Sequence, residues 1–356
     1  MSKSLTRRAL IATTAAAALV LAGCNADNGG DNGSDNGAGG GNGNGGGGAD
    51  AEFVLTAGHQ LAVDTPFDEG LNRFAELVEE KTEGRVVVET HPNAALGNET
   101  EMFQGMQSGT IDVGIIAPGS IGEFAPEMSI LSVPFLITSQ EQRDAVIEGD
   151  IAAGLAENLA ETTGTRPLTY FGGSYRQLFF TEPAESLDDI EGRLLRVQPS
   201  AVLTDSFAAL GLEPTVVAYN ELYNALQQGV VEGADNEAVF IDSQKFYEVA
   251  PYILRTNHEV TIRPLLVSQI TLDNLGEELA ALVIEAAEEA GEFERNLEAE
   301  VDEEMLNDLG SREGVEVIDV DTSGVQDAVE EVWYDYAEQW DAVETLEQII
   351  ALRTES

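Results

Sequence analysis

Cysteine is all but missing from this 356-residue chain: Cys24 is the only one, so no intrachain disulfide can form. Cations are scarce as well. Seventeen Lys and Arg face 65 Asp and Glu, for a formal net charge of −48, and Lys3, Lys81 and Lys245 are the only lysines. Such a balance excludes nucleic acid as a partner, and it excludes an anionic membrane surface as a partner for the folded part. The three histidines (His59, His91 and His258) are scattered. A His-based metal centre is therefore not expected, and His91 and His258 read as structural. The two tryptophans, Trp333 and Trp340, stand seven apart on an amphipathic helical pattern, which assigns them to core packing. There is no P-loop, GxGxxG, GxSxG or HExxH pattern. The expectation is a protein that is not an enzyme and carries no cofactor.

What is present begins with an export segment. Lys3, Arg7 and Arg8 precede the short apolar run Ala9–Val20, which is too short to span a bilayer, and "LAGC" follows at 21–24. Residues 1–23 read as a lipoprotein signal peptide, with Cys24 as the lipidated mature N-terminus. "TRRALI" leaves general and twin-arginine export both open. Residues 25–50 are Gly, Asn, Asp, Ser and Ala only, a composition that buries nothing, so 24–50 reads as a flexible tether. An acid-rich, lysine-poor chain is suited to strong salt, which screens self-repulsion, and a halophilic or salt-tolerant source is expected.

From Ala51 onwards, strand and helix signals alternate. "EFVLTAG" (52–58) reads as a strand. "FDEGLNRFAELVEEKTEG" (67–84) has a helical period ending at Gly84, and "RVVVETH" (85–91) is a strand again. Asn98 caps a helix, and "TIDVGIIA" (110–117) is a buried-strand run. The theme repeats with "RPLTYFGG" (166–173), "RLLRVQ" (193–198), a helix at 201–211, "TVVAY" (215–219) as a strand, and Asn220 capping a helix to Gly229. The last third is mostly helical. An α/β fold with mainly parallel strands is the expectation. In "GRLLRV" (192–197), alternation puts Arg196 on the face opposite Leu195 and Val197. On residue types alone, a structural salt bridge and a ligand contact are equally open for it.

"ESLDDIEGRLLRVQPS" (185–200) and "YNELYNALQQGVVEGADNEAVFIDSQKFYEVAPYILRTNH" (219–258) resemble the extracytoplasmic solute receptors of TRAP transporters, the DctP family. "TEGRVVVETHPNAALGNETEMFQGMQSGTIDVG" (82–114) and "VPFLI" (133–137) fit too, so the likeness spans nearly the whole mature domain. "VEG" (231–233) and "ADN" (234–236) depart from the family's usual "VDG" and "AEN", conservatively in charge. The resemblance implies a two-lobed flytrap joined by hinge strands. Lobe 1 takes 51–173 and 262–301, lobe 2 takes 174–261 and 302–323, and a C-terminal helix (324–356) packs on both.

What the family implies for function is capture of an organic acid by lobe closure and delivery to a membrane permease. Its characteristic ligand contact, the arginine of its "KIRV" motif, falls on Arg196, where a guanidinium pairs with a carboxylate through two hydrogen bonds. Arg176, in "GGSYRQLFF", and Asn236, in "GADNE", match further cleft positions. Tyr219 sits where the family places an aromatic wall, and His59 and Gln60 reach the cleft from the other lobe. The implied ligand is a carboxylate, with a sugar acid such as a uronate or a C4-dicarboxylate favoured. The implied location is the outer face of the membrane, held by the N-terminal lipid. Two other classes compete: a secreted, lipid-anchored enzyme acting on organic acids, and a sensor ectodomain for carboxylates, which would want a membrane span or signalling module that the sequence does not offer.

Overall fold

The structure, a computed structural model, describes residues 51–353; the export segment, Cys24 and the tether lie outside the described residues. Eleven strands are formed there: β1 (Phe53–Gly58), β2 (Val86–His91), β3 (Val113–Ile115), β4 (Thr165–Phe171), β5 (Arg176–Phe180), β6 (Leu194–Val197), β7 (Glu213–Val216), β8 (Gly233–Glu237), β9 (Tyr252–Arg255), β10 (Arg263–Ser268) and β11 (Glu316–Asp319). They make two sheets, one in each lobe. The first runs β2-β1-β3-β10-β4 and the second β11-β9-β5-β8-β6-β7. The fold is α/β and two-lobed.

The sheets are mixed rather than mainly parallel. β5 and β10 run antiparallel to both of their neighbours, while the other pairings are parallel. These are the two strands the chain enters directly after crossing between lobes, through 172–175 and 256–262. The crossings pair with each other. Thr261 N–H donates to the Ser174 carbonyl at 2.9 Å and Arg176 N–H to that of Glu259 at 2.9 Å. Gly172, at φ +104°, is needed there because a Cβ would lie 2.3 Å from the Thr261 carbonyl oxygen.

A third connection is the helix Gln269–Ser311, 43 residues long and broken in its backbone only at Gly276 (φ 74°). It packs on the helix Pro66–Lys81 and on β4 in the first lobe, then on the helix Ala238–Ser243 and on β11 in the second. Three buried acids on it, Glu294, Glu298 and Asp302, recur every fourth residue and so share one face. Glu294 accepts from Gly172 N–H at 2.7 Å and Asp302 from Tyr175 N–H at 3.0 Å, which ties the helix to the first crossing.

Local signals explain most elements. Asn98 caps the helix Glu99–Ser108 in a reciprocal capping box with Glu101. Asn220 does not cap: its helix begins at Leu222, after a 3-10 turn at Tyr219–Glu221. The run 110–117 is strand only at β3, and β7 ends at Val216 instead of continuing to Tyr219. The C-terminal helix is two helices, Val325–Gln339 and Val343–Ala351, separated by a turn in which Asp341 sits at φ 56°. The first packs on the helix Ala201–Ala209 and the second on the helix Asp150–Thr163, so the pair touches both lobes. Trp333 is buried in the core, and Trp340 is half-buried at the break. No helix of the described residues is long and apolar enough to cross a membrane.

Candidate ligand-binding cleft

β6 solves a packing problem by alternation. Leu195 and Val197 enter the apolar layer beneath the second sheet with Phe180, Phe207 and Leu254. Arg196 must then point the other way, into the space between the lobes. Only 3% of it is exposed. Its Nε donates to the Val217 carbonyl at 2.9 Å, and its guanidinium carbon lies 5.6 Å from the centre of the Tyr219 ring. Among the described residues no carboxylate lies within ion-pair distance of it, and its two Nη groups have no hydrogen-bond partner. Burial pulls its pKa below the ordinary arginine value, with Asp235 opposing; an arginine keeps its charge regardless. A desolvated cation with its forked end unused suits a carboxylate.

Arg176, on β5, is equally buried, but every one of its nitrogens has a partner. Its Nε donates to Asp235 Oδ2 at 2.6 Å and its Nη2 to the Asp235 carbonyl at 2.7 Å. Its Nη1 donates to Glu237 Oε2 at 2.9 Å and to Asn236 Oδ1 at 3.3 Å. One N–H of the five remains. Burial alone would raise the Asp235 carboxyl, but Arg176 and His258 beside it hold it well below the usual carboxylate range. Asn236 is oriented by this network: with its oxygen on Arg176, its Nδ2 donates to the Tyr219 hydroxyl at 2.9 Å. Tyr219 packs edge-on against Phe246 at 5.7 Å, and burial raises its phenol pKa.

From the first lobe, β1 delivers His59 and Gln60. His59 Nδ1 accepts from Leu61 N–H at 3.2 Å, which leaves the proton on Nε2, 3.1 Å from Asp68 Oδ1. Burial lowers its pKa, and the neutral ring has no nitrogen left for a ligand. Gln60 is only half-buried and makes no side-chain hydrogen bond within the described residues.

All six cleft residues singled out from the sequence (His59, Gln60, Arg176, Arg196, Tyr219 and Asn236) line one cavity. Sequence reasoning missed four more polar lining residues: Glu99, Gln198, Glu237 and Arg263. Gln198 was findable, since it lies two residues beyond Arg196 and shares its face. Glu99 was hidden behind the capping role of its neighbour Asn98. Glu237 and Arg263 sit beside the crossings, where no local pattern marks them. The cavity continues outward past Gln60, Glu99, Arg196 and Tyr219 towards Asn98, Thr100 and Glu123. Among the described residues, no group of three or more His, Cys, Asp or Glu could hold a metal ion.

Two lobes joined by three connections, with a buried cation between them that has no carboxylate partner among the described residues, define the architecture of a solute-binding protein. Residues 57–339 match the family described as bacterial extracellular solute-binding protein, family 7, and the chain belongs to that family, the DctP-type receptors of TRAP transporters. A solute-binding protein of Sulfitobacter sp. strain NAS-14.1 is 37% identical over 262 residues, covering 73% of this chain and 79% of the relative. Among solved structures, a TRAP periplasmic solute-binding protein from the same strain, with bound α-D-taluronate, superposes with a TM-score of 0.81 at 34% identity, over 83% of this chain and 97% of that one. Another, from Roseobacter denitrificans with bound L-galactonate, gives 0.78 at 32%, over 83% and 99%. A third, from Sulfurospirillum deleyianum with bound succinate, gives 0.80 at 26%, over 85% and 100%.

Proposed function

We propose that this chain is the substrate-binding lipoprotein of a TRAP transporter. It captures an extracellular organic acid in the cleft and delivers it to the membrane permease. The observation that carries the reading is Arg196, buried in the cavity with both Nη groups unbonded among the described residues. The bound taluronate, galactonate and succinate of the three relatives support a carboxylate ligand, a sugar acid or a C4-dicarboxylate. Tyr219 forms the wall beneath Arg196, Asn236 and Arg176 hold the cleft floor in register, and Gln60 closes from the first lobe. The lobes divide at 51–173 with 262–301 and at 174–261 with 302–323, with 324–356 packed across both. Cys24, which lies outside the described residues, carries the lipid, and residues 25–50 link it to the binding domain. The charge of −48 suits a salt-tolerant source.

Thermal melting against uronates, aldonates, C4-dicarboxylates and oxo-acids, in dilute buffer and in molar potassium chloride, tests this. A ligand at 100 times its Kd adds about 2.7 kcal/mol of stability. At least one organic acid should raise the melting temperature, and salt alone should raise it too. If no acid moved it in either buffer, the transport reading would fail. A melting temperature indifferent to salt would remove the salt-tolerant reading.

A further inference from the structure

The cleft's charge balance narrows the ligand beyond "organic acid". Three arginines line the cavity. Arg176 is matched by Asp235 and Glu237, and Arg263 lies 3.5 Å from Glu237. Arg196 is the one lining guanidinium with no carboxylate in reach among the described residues, so the cavity holds free capacity for one anionic group.

The first-lobe wall is different in kind. Glu99 opens the helix Glu99–Ser108 but turns its side chain away from that helix. Oε1 accepts from Ala117 N–H at 3.0 Å and Oε2 from the Ser120 hydroxyl at 2.5 Å. Both oxygens thus act as acceptors, the behaviour of a carboxylate, and the residue borders the cavity and its outer extension alike. Each oxygen retains a further lone pair. Two polar atoms of other lining residues are buried without a hydrogen-bond partner among the described residues: Gln198 Oε1, an acceptor, and Arg263 Nη1, a donor. Gly119 gives Gln198 its room, because a Cβ there would lie 2.5 Å from Oε1.

Unfilled donors and acceptors of both kinds call for a group that can donate and accept. A hydroxyl does both. A second carboxylate only accepts, and it would bring a like charge into a cavity already holding Glu99. We propose that Glu99, with Gln198 and Arg263, makes this a site for a polyhydroxy monocarboxylate, and that Glu99 is the residue that rejects a second carboxylate. This rests on the carboxylate-binding reading of Arg196. It chooses the sugar monoacid over the dicarboxylate.

Calorimetric titration of the full-length protein near neutral pH separates the possibilities. The probes are sugar monoacids (galactonate, gluconate, galacturonate, taluronate), the aldarates galactarate and glucarate, adipate with two carboxylates and no hydroxyl, and hexanoate with one carboxylate and no hydroxyl. The preferred monoacid should bind at least ~100-fold more tightly than any of the last four: adipate and hexanoate lack the hydroxyls the site is built for, and the aldarates and adipate bring a second carboxylate against Glu99. Glu99→Gln keeps an acceptor for Ala117 N–H and removes the charge, so it should narrow the gap between monoacid and aldarate by at least ~10-fold through tighter aldarate binding. An aldarate or adipate binding the wild type as tightly as the best monoacid would overturn the proposal, and that result does not depend on the variant folding. An unchanged gap in a folded Glu99→Gln would overturn the role of Glu99. In both cases the carboxylate reading survives. Binding that persists in Arg196→Ala would instead remove the carboxylate reading itself, and this inference with it.

Discussion

Arg176 on β5, Arg196 on β6 and Arg193 just before β6 show how surroundings decide a side chain's work. Arg193, on the outer side, donates to the carbonyls of Glu182 and Pro183 and lies over the Phe180 ring at 5.3 Å. Arg176 is sealed among its own acids, and Arg196 faces empty space. Truncating Arg176 to Met should leave Asp235 and Glu237 buried and uncompensated, at a cost of about 3–5 kcal/mol. Urea denaturation measures this. A loss below ~1 kcal/mol would mean the network does not depend on Arg176. At this scale the sequence was a good guide to position and a poor one to partners. Strand alternation and motif placed Arg176, Arg196, Asn236 and Tyr219 around one cavity. No local pattern could reveal that Arg176 is taken up by Asp235, Asn236 and Glu237, 59 to 61 residues away, or that His59 is spent on Asp68.

Among the elements, the hinge departs furthest from ordinary packing. Glu298 is fully buried, and neither carboxylate oxygen has a hydrogen-bond partner. Burial, then the neighbouring Glu294 and Glu237, drives its pKa well above the ordinary 4.5. Burial pushes Glu294 up to about 7 and Asp302 up to about 6. An acid with a raised folded-state pKa keeps its proton in the folded chain where the unfolded chain has lost it. Its stabilising contribution is complete below the unfolded value and fades as pH climbs to the folded one. For Glu294 that window runs from 4.5 to about 7. Melting temperature should therefore fall as pH rises across it, and Glu298→Gln, which cannot ionise, should flatten the fall and melt higher at the alkaline end. A steeper fall in the variant would contradict the assignment. Elements with a local signal were legible, the Asn98 capping box among them. Those set by distant contacts were not: β7 stops early because the Val217 carbonyl turns to Arg196, and Asp341 breaks the last helix without a Gly or Pro to announce it. The mixed sheets follow from the two crossings, which alternation of strand and helix does not encode.

At the scale of the whole molecule, the proposed function asks the two lobes to close on the solute. Lobe contacts meet at Ser200, whose hydroxyl lies 3.3 Å from that of Ser129, and the C-terminal helices touch both lobes. Such closing would keep water from Arg196 and strengthen its pairing with an incoming carboxylate. The acidic exterior discourages contact of the folded part with anionic lipid. The central claim is that capture depends on this one cation, and calorimetric titration of an acid that stabilises the wild type tests it most directly. Arg196→Ala should lose about 2–5 kcal/mol of binding, roughly 30-fold or more, while melting as a folded protein. Arg196→Lys should recover little, because lysine keeps the charge and lacks the planar fork. Wild-type affinity in a folded Arg196→Ala would contradict the account.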